Sequence, residues 1–142
     1  MLAFLDICPH SIGFETIGGV MTVIIPRNST VPCKKSQIFS VYEDNQTAIL
    51  IKVYEGERIL TKDNLLIDKM LFDGLPLGPR GQIGVEITLD IDANFNLRLY
   101  AVEKIIGKKM EKEIYLRANI TINFLSIDQQ IKFDTICFDS DF

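Results

Sequence analysis

The chain has no tryptophan, a single histidine and only three cysteines among its 142 residues. Its opening apolar stretch, Met1 to Leu5, is broken by Asp6 and Pro9, well short of the roughly 18 residues a membrane-spanning helix needs. With His10 as the lone histidine, next to Pro9, no Ser-His-Asp or Cys-His nucleophile can be assembled, and His10 reads as an ordinary loop residue. Glu15, Glu55 and Glu57 stand without a visible partner that would raise a carboxyl pKa for acid catalysis. Cys8, Cys33 and Cys137 are odd in number and far apart, which suggests free, partly buried thiols in place of a disulfide framework or a C-x-x-C metal site. No G-x-x-x-x-G-K phosphate loop occurs, so ATP chemistry is not expected from these residues. Basic clusters are scarce too. Lys108, Lys109 and Lys112 are interleaved with Met110, Glu111 and Glu113 and read as a solvated edge or turn. A net charge of -4 leaves no surface suited to phosphate backbones. The ends carry neither a secretory leader nor an ER-retention tetrapeptide.

What is present is apolar material for one core: 47% hydrophobic and 24% charged residues at this length predict a single domain. Apolar residues recur with period two over most of residues 13–120. Val85, Ile87, Leu89 and Ile91 alternate with Glu86, Thr88 and Asp90, which puts four apolar side chains on one sheet face. Further strands are predicted over 13–17, 20–25, 36–43, 48–55, 65–72, 95–103 and 113–120, separated by turn formers such as Gly18-Gly19, Asp44-Asn45-Gln46 and Pro79-Arg80-Gly81. About eight short antiparallel strands predict an all-β, two-sheet sandwich. After Asn123 the alternation fades, and Ser126 with Gln129 predicts the start of a short C-terminal helix.

A series of words then narrows the field: Leu5-Asp6-Ile7-Cys8-Pro9, Phe14-Glu15-Thr16-Ile17-Gly18-Gly19-Val20-Met21-Thr22, Ile25-Pro26-Arg27-Asn28, Lys34-Lys35-Ser36-Gln37-Ile38-Phe39-Ser40, Asp44-Asn45-Gln46, Val53-Tyr54-Glu55-Gly56-Glu57-Arg58, Thr61-Lys62-Asp63-Asn64 and Asp90-Ile91-Asp92-Ala93-Asn94. In order and spacing, this series resembles the substrate-binding domain of the seventy-kilodalton heat-shock chaperones from about residue 4 to 120. The words around Cys8 and Arg27 look most like the ER-lumenal, immunoglobulin-binding member. That likeness favours the ER lumen as compartment, with the cytoplasm as the alternative because no address signal is present.

The resemblance implies a division into a linker remnant at 1–9, a peptide-binding sandwich at 10–122 and the beginning of a truncated helical lid at 123–142. It implies a channel holding short extended hydrophobic peptides of unfolded proteins, with backbone hydrogen bonds supplying affinity and one apolar pocket selecting a leucine-like side chain. By matching positions, Phe14, Val20, Phe39, Ile49 and Ile51 would line the pocket. Glu15, Thr16 and Ser40 would contact the peptide main chain, Ile17 and Tyr42 would arch over it, and Asp44 and Arg80 would serve as latch residues. The family's ATPase domain would be absent from this chain, leaving no enzyme and no cofactor here. Partners would be the peptides, an ATPase domain and a J-domain co-chaperone, with no nucleic acid and no membrane.

Some positions depart from the family pattern. Phe14 stands where isoleucine is common and would fill pocket space with a ring. Ile17 replaces a small arch residue. Phe95 stands where the 92–95 turn wants glycine, which would strain a ring residue at positive φ by about 1 to 2 kcal/mol. Asp68 and Ile83 likewise replace an expected glycine and proline. A degenerate or decoy interaction module without an ATP-driven cycle is therefore the alternative. A calcium loop on Asp90, Asp92 and Asn94 fails at Phe95 and Ala101, where glycine and glutamate are needed.

Overall fold

The computed structural model describes residues 6–116, so the expected C-terminal helix and Cys137 lie outside the described residues. Among the described residues eight strands form: β1 (Ile12–Thr16), β2 (Val20–Ile25), β3 (Cys33–Ser40), β4 (Ile49–Glu55), β5 (Leu65–Phe72), β6 (Gly84–Ile91), β7 (Leu97–Glu103) and β8 (Lys108–Ile114). They assemble into two four-stranded sheets with orders β2-β1-β4-β5 and β3-β6-β7-β8, and every pairing is antiparallel. The all-β, two-sheet architecture read from the alternation is the one observed.

Period-two patterning decides which faces meet. Val85, Ile87, Leu89 and Ile91 of β6 and Leu97, Leu99 and Ala101 of β7 are buried in one cluster with Ile12 and Phe14 of β1, Ile51 and Val53 of β4, and Met70 and Phe72 of β5. The residues between them on the second sheet line up as rows of opposite charge, Lys34 beside Asp90, Asp90 beside Arg98 and Arg98 beside Glu113. That face is wet, as antiparallel sheets allow.

β3 and β8 begin well before the alternation predicts. β3 opens at Cys33 instead of residue 36, and β8 occupies Lys108–Ile114 instead of 113–120. The segment read as a solvated edge or turn is thus an edge strand. Its charges conceal strand character because edges are defended by lysine and glutamate against further pairing. Two of its lysines also close the open side between the sheets: Lys112 Nζ lies 2.8 Å from Asp68 Oδ1 and Lys108 Nζ 2.9 Å from Asp73 Oδ1, with Lys108 over the Phe72 ring at 5.8 Å.

The described part of the segment assigned to a linker, residues 6–9, pairs with the body. Cys8 N donates to Ser29 O at 2.9 Å and Val31 N to Asp6 O at 3.0 Å. Cys8 is buried, and burial first, then the nearby Cys33 and Glu55, push its thiol up to about 11. It is an inert core thiol. Among the described residues Cys8 and Cys33 are free.

The 92–95 turn takes the conformation expected of it. Phe95 sits at φ +62°, its N–H donating to Asp92 O at 3.0 Å, and its ring is buried in the core cluster. Apolar burial compensates for the left-handed backbone. Phe95→Gly relieves the backbone but leaves a cavity, for a net loss of about 2 kcal/mol, whereas Phe95→Ala keeps the strain and loses about 1 kcal/mol more. Urea unfolding checks this: a glycine variant less stable than the alanine variant would reject the strained turn.

Candidate functional site

Backbone pairing between β1 and β4 covers Ile12↔Glu55, Gly13↔Tyr54 and Phe14↔Val53 and then stops. Beyond it, β1 continues with β2 alone through Glu15↔Met21 and Thr16↔Val20. β4 continues with β5 alone through Ile51↔Met70 and Ile49↔Phe72. The sheet therefore forks. Close approach of β1 to β2 before the fork requires Gly13, because a Cβ there would run into the carbonyl of Thr22.

A cleft of about 820 Å³ occupies the fork, with β1 and its hairpin turn on one side, β4 on the other, and Phe39 and Ile87 of the second sheet beneath. Of the residues assigned to the site from sequence, Phe14, Phe39, Ile49 and Ile51 line it, as do Glu15, Thr16, Ser40, Ile17 and Tyr42. Three do not. Val20 pairs with Thr16 and bridges to Leu60, so it belongs to the outer hairpin. Asp44 and Arg80 lie outside the lining and face each other in neighbouring loops, where Asp44 Oδ1 accepts the Arg80 N–H at 2.8 Å. That contact, with Asn45 N donating to Gly78 O at 2.8 Å, ties the Tyr42 loop to the 78–81 loop.

Local chemistry fixes the two sides. The turn after Thr16 runs through Gly18 (φ +86°) and Gly19 (φ +71°), and Gly19 N donates to Thr16 O at 3.1 Å. The Thr16 hydroxyl is spent on its own hairpin, 3.2 Å from Val20 O and 2.9 Å from Thr22 Oγ1. On the opposite side Gln46 Oε1 accepts the N–H groups of Tyr42 (3.0 Å) and Glu43 (3.3 Å), and its Nε2 donates to Ala48 O at 2.8 Å. Sequence reading missed Gln46 as a lining residue, along with Ile38, Leu50 and Lys52. Period two assigns Ile38 and Leu50 to outward faces, yet each lines the cleft together with its inward-facing neighbour, Phe39 and Ile51.

At the fork itself the next opposed residues, Glu15 and Lys52, are joined through side chains: Lys52 Nζ lies 3.3 Å from Glu15 Oε2. Glu15 Oε1 accepts the Thr61 hydroxyl at 2.6 Å, and Thr61 N donates to Gly19 O at 2.9 Å. Thr61 belongs to a one-turn 3-10 helix, Thr61–Asp63. Its hydroxyl first, then Lys52, hold the Glu15 carboxyl below the usual range despite some burial. At Glu57 burial pushes the carboxyl up, but hydrogen bonds from Ser11 and His10 more than offset it, so its pKa is also lowered. Neither group is poised as a general acid. Asp92 spends its oxygens within its own turn: Oδ1 accepts from Asn94 N at 2.8 Å and Asn96 N at 2.9 Å, and Oδ2 from Asn96 Nδ2 at 3.0 Å. Among the described residues no cluster suited to a metal ion occurs.

Fold and site thus define a two-sheet all-β protein with an apolar cleft in a split sheet. Comparison with known proteins gives the family: the model for "Hsp70 protein" matches residues 1–133, and the chain belongs to that family. It is 51% identical over 111 residues to "Heat shock cognate 70 kDa protein 3" of Dictyostelium discoideum, an alignment that covers 78% of this chain and 18% of the relative. The chain therefore spans about a fifth of that relative's length.

Because the folded-state pKa of Glu15 is lowered, its stabilising contribution is present above the ordinary carboxylate range and is lost as pH falls through the folded value. Glu15→Gln should cost about 1 kcal/mol near neutral pH, with the wild-type advantage shrinking as the pH is lowered through the folded-state pKa of Glu15. Urea unfolding of both proteins over an acidic pH series measures it, and an advantage independent of pH would reject the ion-paired role.

Proposed function

We propose that the cleft binds short extended apolar segments of unfolded polypeptide, as the substrate-binding part of an Hsp70-type chaperone. The carrying observation is the fork. Past Phe14↔Val53 the facing edges of β1 and β4 have lost each other as ladder partners, so an added strand can pair with them while its side chains meet an apolar floor. Main-chain pairing makes such recognition tolerant of sequence, and apolar contacts select among segments. Family membership supports the reading. Burying one aliphatic side chain is worth about 2 kcal/mol, so micromolar affinity, about 8 kcal/mol in all, requires the backbone bonds as well.

In this reading Glu15 and Thr16 act through their backbone, since their side chains are engaged within the fold, and Ile17 and Tyr42 flank the entrance. Asp44 and Arg80 act at a distance by setting the loop that carries Tyr42. ATP binding and hydrolysis belong to a separate ATPase domain, with a J-domain protein as its co-chaperone, and this domain does no chemistry of its own. The likeness of the Cys8 and Arg27 words to the ER-lumenal member supports that compartment within the same proposal, with the cytoplasm as the alternative.

The test is fluorescence anisotropy of a labelled heptapeptide with a central valine against one with a central aspartate. Saturable binding of the valine peptide at micromolar protein, absent for aspartate, is expected. Ile49 is only partly buried, so Ile49→Asp should keep the fold and weaken binding at least about tenfold by placing a charge in an apolar site. A folded protein that binds neither peptide would sink the proposal and leave the degenerate-module alternative.

A further inference from the structure

The cleft is wide at its rim and closed at its base. Phe14, Ile51 and Ile87 all line it, yet they are only 2%, 3% and 3% exposed. A hole deep enough for a leucine or phenylalanine side chain would leave its floor open to a water-sized contact. Here the floor is filled: the Phe14 ring packs against Phe39, and Phe39 and Ile49 are the core-packed lining residues that stay only partly buried. The edge-on contact of Phe14 with Phe39, ring centroids 5.7 Å apart at 85°, is the favoured geometry of an aromatic pair and resists displacement. Phe14 is also the last residue of β1 laddered on both sides, opposite Thr22 and Val53, so its backbone cannot yield to make room. Accessible apolar surface is found higher up, at Ile17, Ile38, Tyr42 and Leu50, which are 72%, 65%, 52% and 47% exposed.

We propose that the cleft selects extended segments with a small aliphatic side chain, alanine or valine in size, at the position facing Phe14, and larger apolar residues at the flanking positions that meet the rim. This rests on the reading of the cleft as a peptide site. In an extended segment the residues beside the central one point away from the floor, toward the exposed rim side chains. A larger central residue must displace a packed ring, and overfilled apolar sites are unfavourable because close-packed neighbours have nowhere to go. Among the described residues the only charged groups lining the cleft, Glu15 and Lys52, are paired with each other, so size discriminates among apolar side chains.

The experiment is an anisotropy series on the full chain with heptapeptides identical except at the centre: alanine, valine, leucine, phenylalanine and aspartate. Valine and alanine should bind about tenfold tighter than phenylalanine, leucine between them, and aspartate not at all. Tightest binding for leucine or phenylalanine overturns the size rule and leaves the peptide-binding reading standing. Failure to distinguish any apolar centre from aspartate overturns both. In Phe14→Ile and Phe39→Leu, each checked for folding by thermal melt, leucine should gain about tenfold relative to valine. An unchanged order in both folded variants also overturns the proposal, and should either variant unfold, the wild-type order decides alone.

Discussion

The structure depends on where one backbone ladder ends. β1 and β4 exchange hydrogen bonds over three residue pairs, enough to make β2-β1-β4-β5 a single sheet, and then part company at Glu15 and Lys52. A continuous ladder would bury the apolar side chains of both strands and leave no cleft. A shorter one would leave two hairpins, each too small to be stable alone. The Glu15 carboxylate, held by Thr61 from outside and Lys52 from across the fork, marks the point at which backbone pairing gives way to side-chain contact.

Around that point the chain divides rigidity unequally. The second sheet is laddered over the full length of its strands, with Leu89, Ile91, Leu97 and Leu99 fully buried, and it forms a fixed floor. The sides of the cleft are loops and hairpin ends held by specific hydrogen bonds: Thr61 on the Gly18-Gly19 turn, Gln46 within the Tyr42 loop, Asp44 on the Arg80 amide. Side-chain to backbone bonds of this kind position a loop with few residues and little buried area. Charge keeps to the edges, where Lys112 and Lys108 pair with Asp68 and Asp73 across the gap between sheets.

Much of this was legible in the sequence, and the reasons for the misses are local. β2 and β5 were read with their observed bounds because apolar and β-branched residues fill them between clear turn formers. β8 was misplaced because Lys108 to Glu113 carries the charges that protect an edge strand, and these imitate a loop. Val20 shares its face with Thr16 and Thr22 through the register of the β1–β2 hairpin, and only the position of that hairpin leaves it outside the lining. Glu103 gave no warning of its burial. It is fully enclosed and accepts the amides of Ile105 and Ile106 at 2.7 and 3.0 Å, a turn-capping role that no linear pattern announces.

Sequence by itself determined the class of fold, the number of strands among the described residues, most of the inward-facing residues and the left-handed demand at Phe95, because these follow from period-two alternation, turn chemistry and local backbone sterics. It also carried the family words. Tertiary structure alone decided that β1 and β4 separate after Phe14, that Ile38 and Leu50 join a cleft their alternation assigns to solvent, and that the Phe14 ring closes the base against Phe39. Those outcomes depend on contacts between residues 25 to 43 positions apart in the chain, and spacing along a strand holds no information about which distant edge it will leave unpaired.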